Sequence, residues 1–91
     1  MSSAVDTSIG LAAGVALAAA LPDLPYACGL GTRALLAGDV VAPTDELTPV
    51  DGSLPVGRPA VDPDALAAVR ADADTTARWH ARLARVRALR A

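Results

Sequence analysis

An α/β chain that closes on helices is what this sequence predicts, and three observations carry the prediction. An alanine-rich apolar run, Ile9 to Leu21, stands between a short opening stretch, Ser2 to Ser8, and a strand-sized apolar stretch, Leu24 to Leu30. A helix start is written at Asp62-Pro63-Asp64: an acid to cap, proline in the first turn, a second acid beside it. The last segment places Trp79, Leu83 and Val86 on one helical face and Arg78, Arg82 and Arg85 on the adjoining one.

Ile9 to Leu21 reads as helix because alanine favours that state, with Thr7 or Ser8 as its cap and Pro22-Asp23 as its end. It is apolar nearly all round, the pattern of a helix buried among neighbours. Leu24 to Leu30 follows as one buried strand, bracketed by Gly29 and Gly31. Thr32 is positioned to cap a short helix, Arg33 to Ala37, closed by Gly38. Asp39 to Pro59 is rich in Pro, Gly, Asp and Thr, which predicts loops with extended pieces at Val40-Val41 and Leu54 to Val56. The Asp62 helix is expected to run to about Ala71, and Asp74 or Thr75 to open the last one. A helix between two strands is the βα unit of a parallel sheet, which is normally covered on both faces. Two such strands make no sheet alone, so the expectation is a piece of a larger architecture.

Composition narrows the chemistry. The chain has 91 residues, and all eight basic residues are arginine, so no lysine base, Schiff base or phosphate-loop lysine lies in it. A net charge of −2 argues against nucleic acid as a partner. With one cysteine, Cys28, and one histidine, His80, neither a disulfide framework nor a soft-ligand zinc site is expected. The uncharged run Thr7 to Pro22 is shorter than a bilayer span, and Asp6 stands where a signal peptide carries positive charge. The expectation is a soluble, cytoplasmic chain with no membrane partner.

The block Ser2-Ser3-Ala4-Val5-Asp6-Thr7-Ser8-Ile9-Gly10, the alanine-rich helix after it and the block Ala27-Cys28-Gly29-Leu30-Gly31-Thr32 together resemble the C-terminal end of the o-succinylbenzoate synthase family, within the enolase superfamily. The first block looks like the seventh strand of that family's (β/α)₈ barrel and its loop, the second like the eighth strand and its Gly-Leu-x-Thr turn. The resemblance implies that residues 1–38 are the C-terminal end of the barrel, its last two βα units. Residues 39–91 are then a tail that returns to a capping domain, with Asp51 to Val56 as the returning strand and two helices at the end.

It also implies Mg²⁺-dependent syn dehydration of a cyclohexadiene carboxylate bearing a succinyl chain, a lyase step of menaquinone biosynthesis. In the family, lysines on the second and sixth strands and acidic Mg²⁺ ligands on strands three to five carry that step. An α proton is only faintly acidic, so the enediolate needs metal and cation beside it as it forms. None of those residues is in this chain, so the expectation is a segment with no catalytic residue and no metal ligand, inactive alone.

Two positions carry over as substrate-binding. Ser2 matches a serine that lines the pocket near the succinyl chain, and Gly29 matches a position whose backbone N–H approaches the succinyl carboxylate. Both fit the rule that barrel sites lie at C-terminal strand ends.

Plainer readings stand beside these. Ser2 and Ser3 also suit caps or turns, and Gly29 and Gly31 also suit simple turn glycines. Asp6 is either an acid on the seventh strand facing the site or an acid near a helix N-terminus. Cys28 reads as a small buried residue and His80 as a surface one. Asp62/Asp64 and Asp72/Asp74 read as helix-end acids rather than metal ligands. The alternative function is a small helical interaction module that uses the Arg-rich C-terminal helix.

Overall fold

The computed structural model describes residues 1–90. Helix α1 spans Ser8–Ala20, α2 Pro63–Val69 and α3 Ala73–Ala88, with 3₁₀ turns at Thr32–Leu35 and Pro43–Asp45. Among the described residues β-type pairing is limited to two isolated bridges, a parallel one joining Ser2 to Gly29 and an antiparallel one joining Val50 to Ser53. The α/β expectation is therefore corrected: the described chain is a small helical piece with no strand. The physical reason is local. Parallel strands need neighbours for their N–H and C=O groups, and here each extended segment has only the other to pair with. Pro25 also removes a donor from the second segment.

The bridge that does form has the parallel pattern. Gly29 N–H donates to the Met1 carbonyl at 2.8 Å, and Ser3 N–H donates to the Gly29 carbonyl at 3.0 Å. The expected returning strand, Asp51 to Val56, is also corrected. Asp51 and Gly52 both take positive φ, 50° and 78°, and Val50 and Ser53 exchange hydrogen bonds of 2.9 and 3.0 Å across them. That is the backbone a primed two-residue turn needs, for which Asp-Gly is a strong signal.

Helix α1 packs one face only. Leu11, Ala12, Val15 and Ala18 are buried with Leu30 and Leu47, and half-buried Cys28 and Leu54 pack against this cluster. Burying Leu11 and Val15 stabilises by roughly 1.5–3 kcal/mol each. Leu17 on α1 and Leu21 just past its end stay exposed, so the helix is not enclosed on all sides as its composition suggested.

The helix starts at α2 and α3 are capped by aspartates. The Asp62 carboxylate accepts from Ala65 N–H at 2.9 Å, and that of Asp72 accepts from Thr75 N–H at 2.7 Å. The α3 cap is thus Asp72, not Asp74 or Thr75, because an acid three residues ahead of a free N–H reaches it directly. The short helix expected at Arg33 to Ala37 is instead the 3₁₀ turn, ending at Leu35. Trp79, Leu83 and Val86 are exposed along α3, with the Arg82 guanidinium 5.3 Å from the centre of the Trp79 ring. His80 is at the surface. Among the described residues no helix is long and apolar enough to cross a membrane.

Candidate functional site

The N-terminus of α1 is held by a residue far along the chain. Thr7 is the cap by position but makes no side-chain bond to the helix. The Asp39 carboxylate takes that place, accepting from Ser8 N–H at 3.1 and 3.3 Å and from the Ser8 hydroxyl. Ser8 is fully buried, and its Oγ also accepts from Leu47 N–H at 2.9 Å. On the other side of Asp39 stands Arg33. Its Nε is 2.6 Å from Asp39 Oδ2, a close ion pair rather than an aligned hydrogen bond. Arg33 Nη2 meets Glu46 at 2.8 Å, and Arg33 Nη1 donates to the Leu36 carbonyl at 3.1 Å. A carboxylate at a helix N-terminus is favoured by the helix dipole, and this one closes a loop of some thirty residues around it.

Burial pushes the Asp39 carboxyl up. The Ser8 hydroxyl, the N–H groups of Val40 and Ser8, and the Arg33 charge outweigh burial and hold it below the usual 3.8. A group with a depressed folded value stabilises fully above its unfolded value, and that contribution is lost as pH falls through the lower folded one. Asp72, held low mainly by Thr75 N–H, acts in the same sense. Urea midpoints are therefore expected to hold steady down to about pH 4 and fall below it, with Asp39→Asn flattening the acid limb. An unchanged acid limb in Asp39→Asn would count against the cap.

The two residues expected at a substrate pocket are brought together. Ser2 and Gly29 are opposite each other in the parallel bridge, and both are at the surface. A Cβ on Gly29 would stand 3.3 Å from the Ser2 Cβ, so the two positions share one face. Leu30 turns the other way, reaching α1 at Gly14, and Cys28 packs on the same cluster. Side chains alternate along extended backbone, so Ser2 and Gly29 face away from α1. An open apolar cavity of about 400 Å³ lies on the α1 side, lined by Val15, Ala18, Tyr26, Cys28, Leu30 and Leu54, and does not include Ser2 or Gly29. Gly29 N–H is engaged by the Met1 carbonyl, so in this arrangement the glycine offers the space of its missing side chain.

Thr32 does not cap. Its hydroxyl donates to the Ala4 carbonyl at 2.8 Å and stands 3.0 Å from the Ser3 hydroxyl. Asp6 folds onto the first turn of α1, its Oδ1 3.1 Å from where a Gly10 Cβ would lie. Among the described residues no three His, Cys, Asp or Glu side chains gather to hold a metal ion. Sequence reasoning missed Asp39 and Ser8 as partners. The available signal was that Arg33 and Asp39 are the only charges between Leu24 and Ala42.

No family model matches the chain. Curated relatives do. A Thermobifida fusca protein named o-succinylbenzoate synthase is 60% identical over 88 residues, which is 97% of this chain and 26% of that protein. One of the same name from Mycobacterium leprae is 52% identical over 69 residues, 76% of this chain and 20% of its own length. Another, from Mycobacterium tuberculosis, is 47% identical over 79 residues, 87% and 23% respectively. The chain belongs to the o-succinylbenzoate synthase family, and it spans about a quarter of the length of the curated relatives it matches.

Proposed function

We propose that this chain supplies one edge of the substrate pocket in an o-succinylbenzoate synthase, a lyase that dehydrates a cyclohexadiene carboxylate carrying a succinyl chain. The observation that carries the reading is the 60% identity to the Thermobifida fusca protein across 97% of the chain. The adjacency of Ser2 and Gly29 on the face away from α1 supports it. In this reading residues 1–38 are the last two βα units of a (β/α)₈ barrel, residues 39–91 are its tail, and the extended segments become strands when paired with barrel neighbours. Ser2 offers a hydroxyl to the succinyl chain, and Gly29 leaves room for that chain to lie close to the backbone. Both hold the substrate rather than move its proton. The lysines and the Mg²⁺ ligands come from the remainder of such an enzyme, since the chain has no lysine. The alternative, a helical interaction module built on α3, is not favoured by identity that runs through nearly the whole chain.

The test compares the purified chain with a chimera in which it replaces the matching 88-residue stretch of the Thermobifida fusca protein. Given substrate and Mg²⁺, the chain alone is expected to form no product, and the chimera to form it. Ser2→Ala in the chimera is expected to raise KM roughly two- to tenfold, the worth of one hydrogen bond, with kcat little changed. Product from the isolated chain, or a well-folded but inactive chimera, would overturn the reading.

A further inference from the structure

We propose that Thr32, with Ser3 as its partner, is a positioning residue that sets the spacing between the two segments bearing Ser2 and Gly29; this rests on the pocket reading of those two residues. Two backbone hydrogen bonds alone join the segments at the bridge, Gly29 N–H to Met1 and Ser3 N–H to Gly29. The hydroxyls add the rest. Thr32 has one proton, and it goes to the Ala4 carbonyl, which can only accept. The Ser3–Thr32 contact at 3.0 Å is then made by the Ser3 proton, which also has the Gly29 carbonyl in reach at 3.4 Å. Thr32 sits at the start of its 3₁₀ turn, where a threonine side chain ordinarily serves the local backbone. Here it crosses 28 residues instead, to the residue two beyond Ser2. The result is a tie of hydroxyls running Ala4–Thr32–Ser3–Gly29 across the mouth of the bridge. Neither hydroxyl is placed on the substrate, so their effect reaches it only through where Ser2 and Gly29 stand. Small misplacements of groups that hold a substrate are costly, which is what gives such a tie its leverage.

The experiment is steady-state kinetics on the chimera carrying Thr32→Val, Thr32→Ser and Ser3→Ala, beside Ser2→Ala and Gly29→Val. Thr32→Val keeps the shape and removes the donor. It is expected to raise KM roughly two- to tenfold with kcat unchanged and little loss of Tm, and Thr32→Ser to restore KM. Should Thr32→Val fail to fold, Ser3→Ala is expected to raise KM in the same sense. A threonine that merely supports the fold would lower Tm and soluble yield and leave KM of the folded enzyme alone, and that result overturns the proposal. If Ser2→Ala shifts KM while Thr32→Val and Ser3→Ala are silent, the tie is refuted and the pocket reading stands. If Ser2→Ala, Gly29→Val and Thr32→Val are all silent, the pocket reading fails and the tie falls with it.

Discussion

Asp39→Ala is expected to lower the stability of the chain by about 3–5 kcal/mol, a large part of what a domain of this size possesses. Asp39 is almost fully buried and is the shared partner of Ser8, Val40 and Arg33. Its removal leaves the Ser8 N–H and hydroxyl without their acceptor at the start of α1. It also leaves the Arg33 guanidinium, whose side chain is only 13% exposed, with Glu46 as its one remaining acid. Breaking one side of a buried pair is far costlier than losing an exposed one, because the Arg33 charge stays buried with only part of its compensation. Urea unfolding followed by circular dichroism should show the midpoint collapse, with Asp39→Asn intermediate because it keeps the shape and one acceptor oxygen. A change under about 1 kcal/mol would mean that water replaces the carboxylate and that the cap is incidental.

Gly29→Val is expected to lower kcat/KM of the chimera roughly a hundredfold while the protein still folds. The space is already tight: the first added carbon would sit 3.3 Å from the Ser2 Cβ and 3.8 Å from its Cα. Two further methyl groups then have only the face shared with Ser2 to occupy, which is the face proposed for the succinyl chain. Gly29→Ala should fall between Val and the parent, since a small shift of Ser2 accommodates one carbon. The comparison with Ser2→Ala separates space from hydrogen bonding. A loss no larger for Gly29→Val than for Ser2→Ala would show that bulk at this position does not meet substrate.

What the sequence disclosed followed from how local each feature is. The three helices were legible because their causes are near neighbours: alanine content for α1, Asp62-Pro63 for α2, and an acid ahead of an amphipathic run for α3. The cap on α1 was not, because Ser8 and Asp39 are 31 residues apart and Thr7 offered a nearer candidate. The strands expected at each end of α1 appear only as a bridge, since pairing depends on neighbours that this stretch of chain does not contain. Asp51-Gly52 is a local turn signal, and in the structure it makes a tight turn where the resemblance implies the start of a returning strand. For the candidate site, the resemblance picked out Ser2 and Gly29, and the structure puts them side by side. The hydroxyl pair beside them was out of reach, because Thr32 has an equally good local use as a cap.

A crystal structure of the chimera with o-succinylbenzoate bound would show whether Ser2 and Gly29 form a pocket edge. The Ser2 hydroxyl is expected within about 2.5–3.0 Å of an oxygen of the succinyl chain, and that chain is expected to lie against Gly29 with no side chain between them. Product bound in the barrel with Ser2 and Gly29 both clear of it would remove both residues from the pocket.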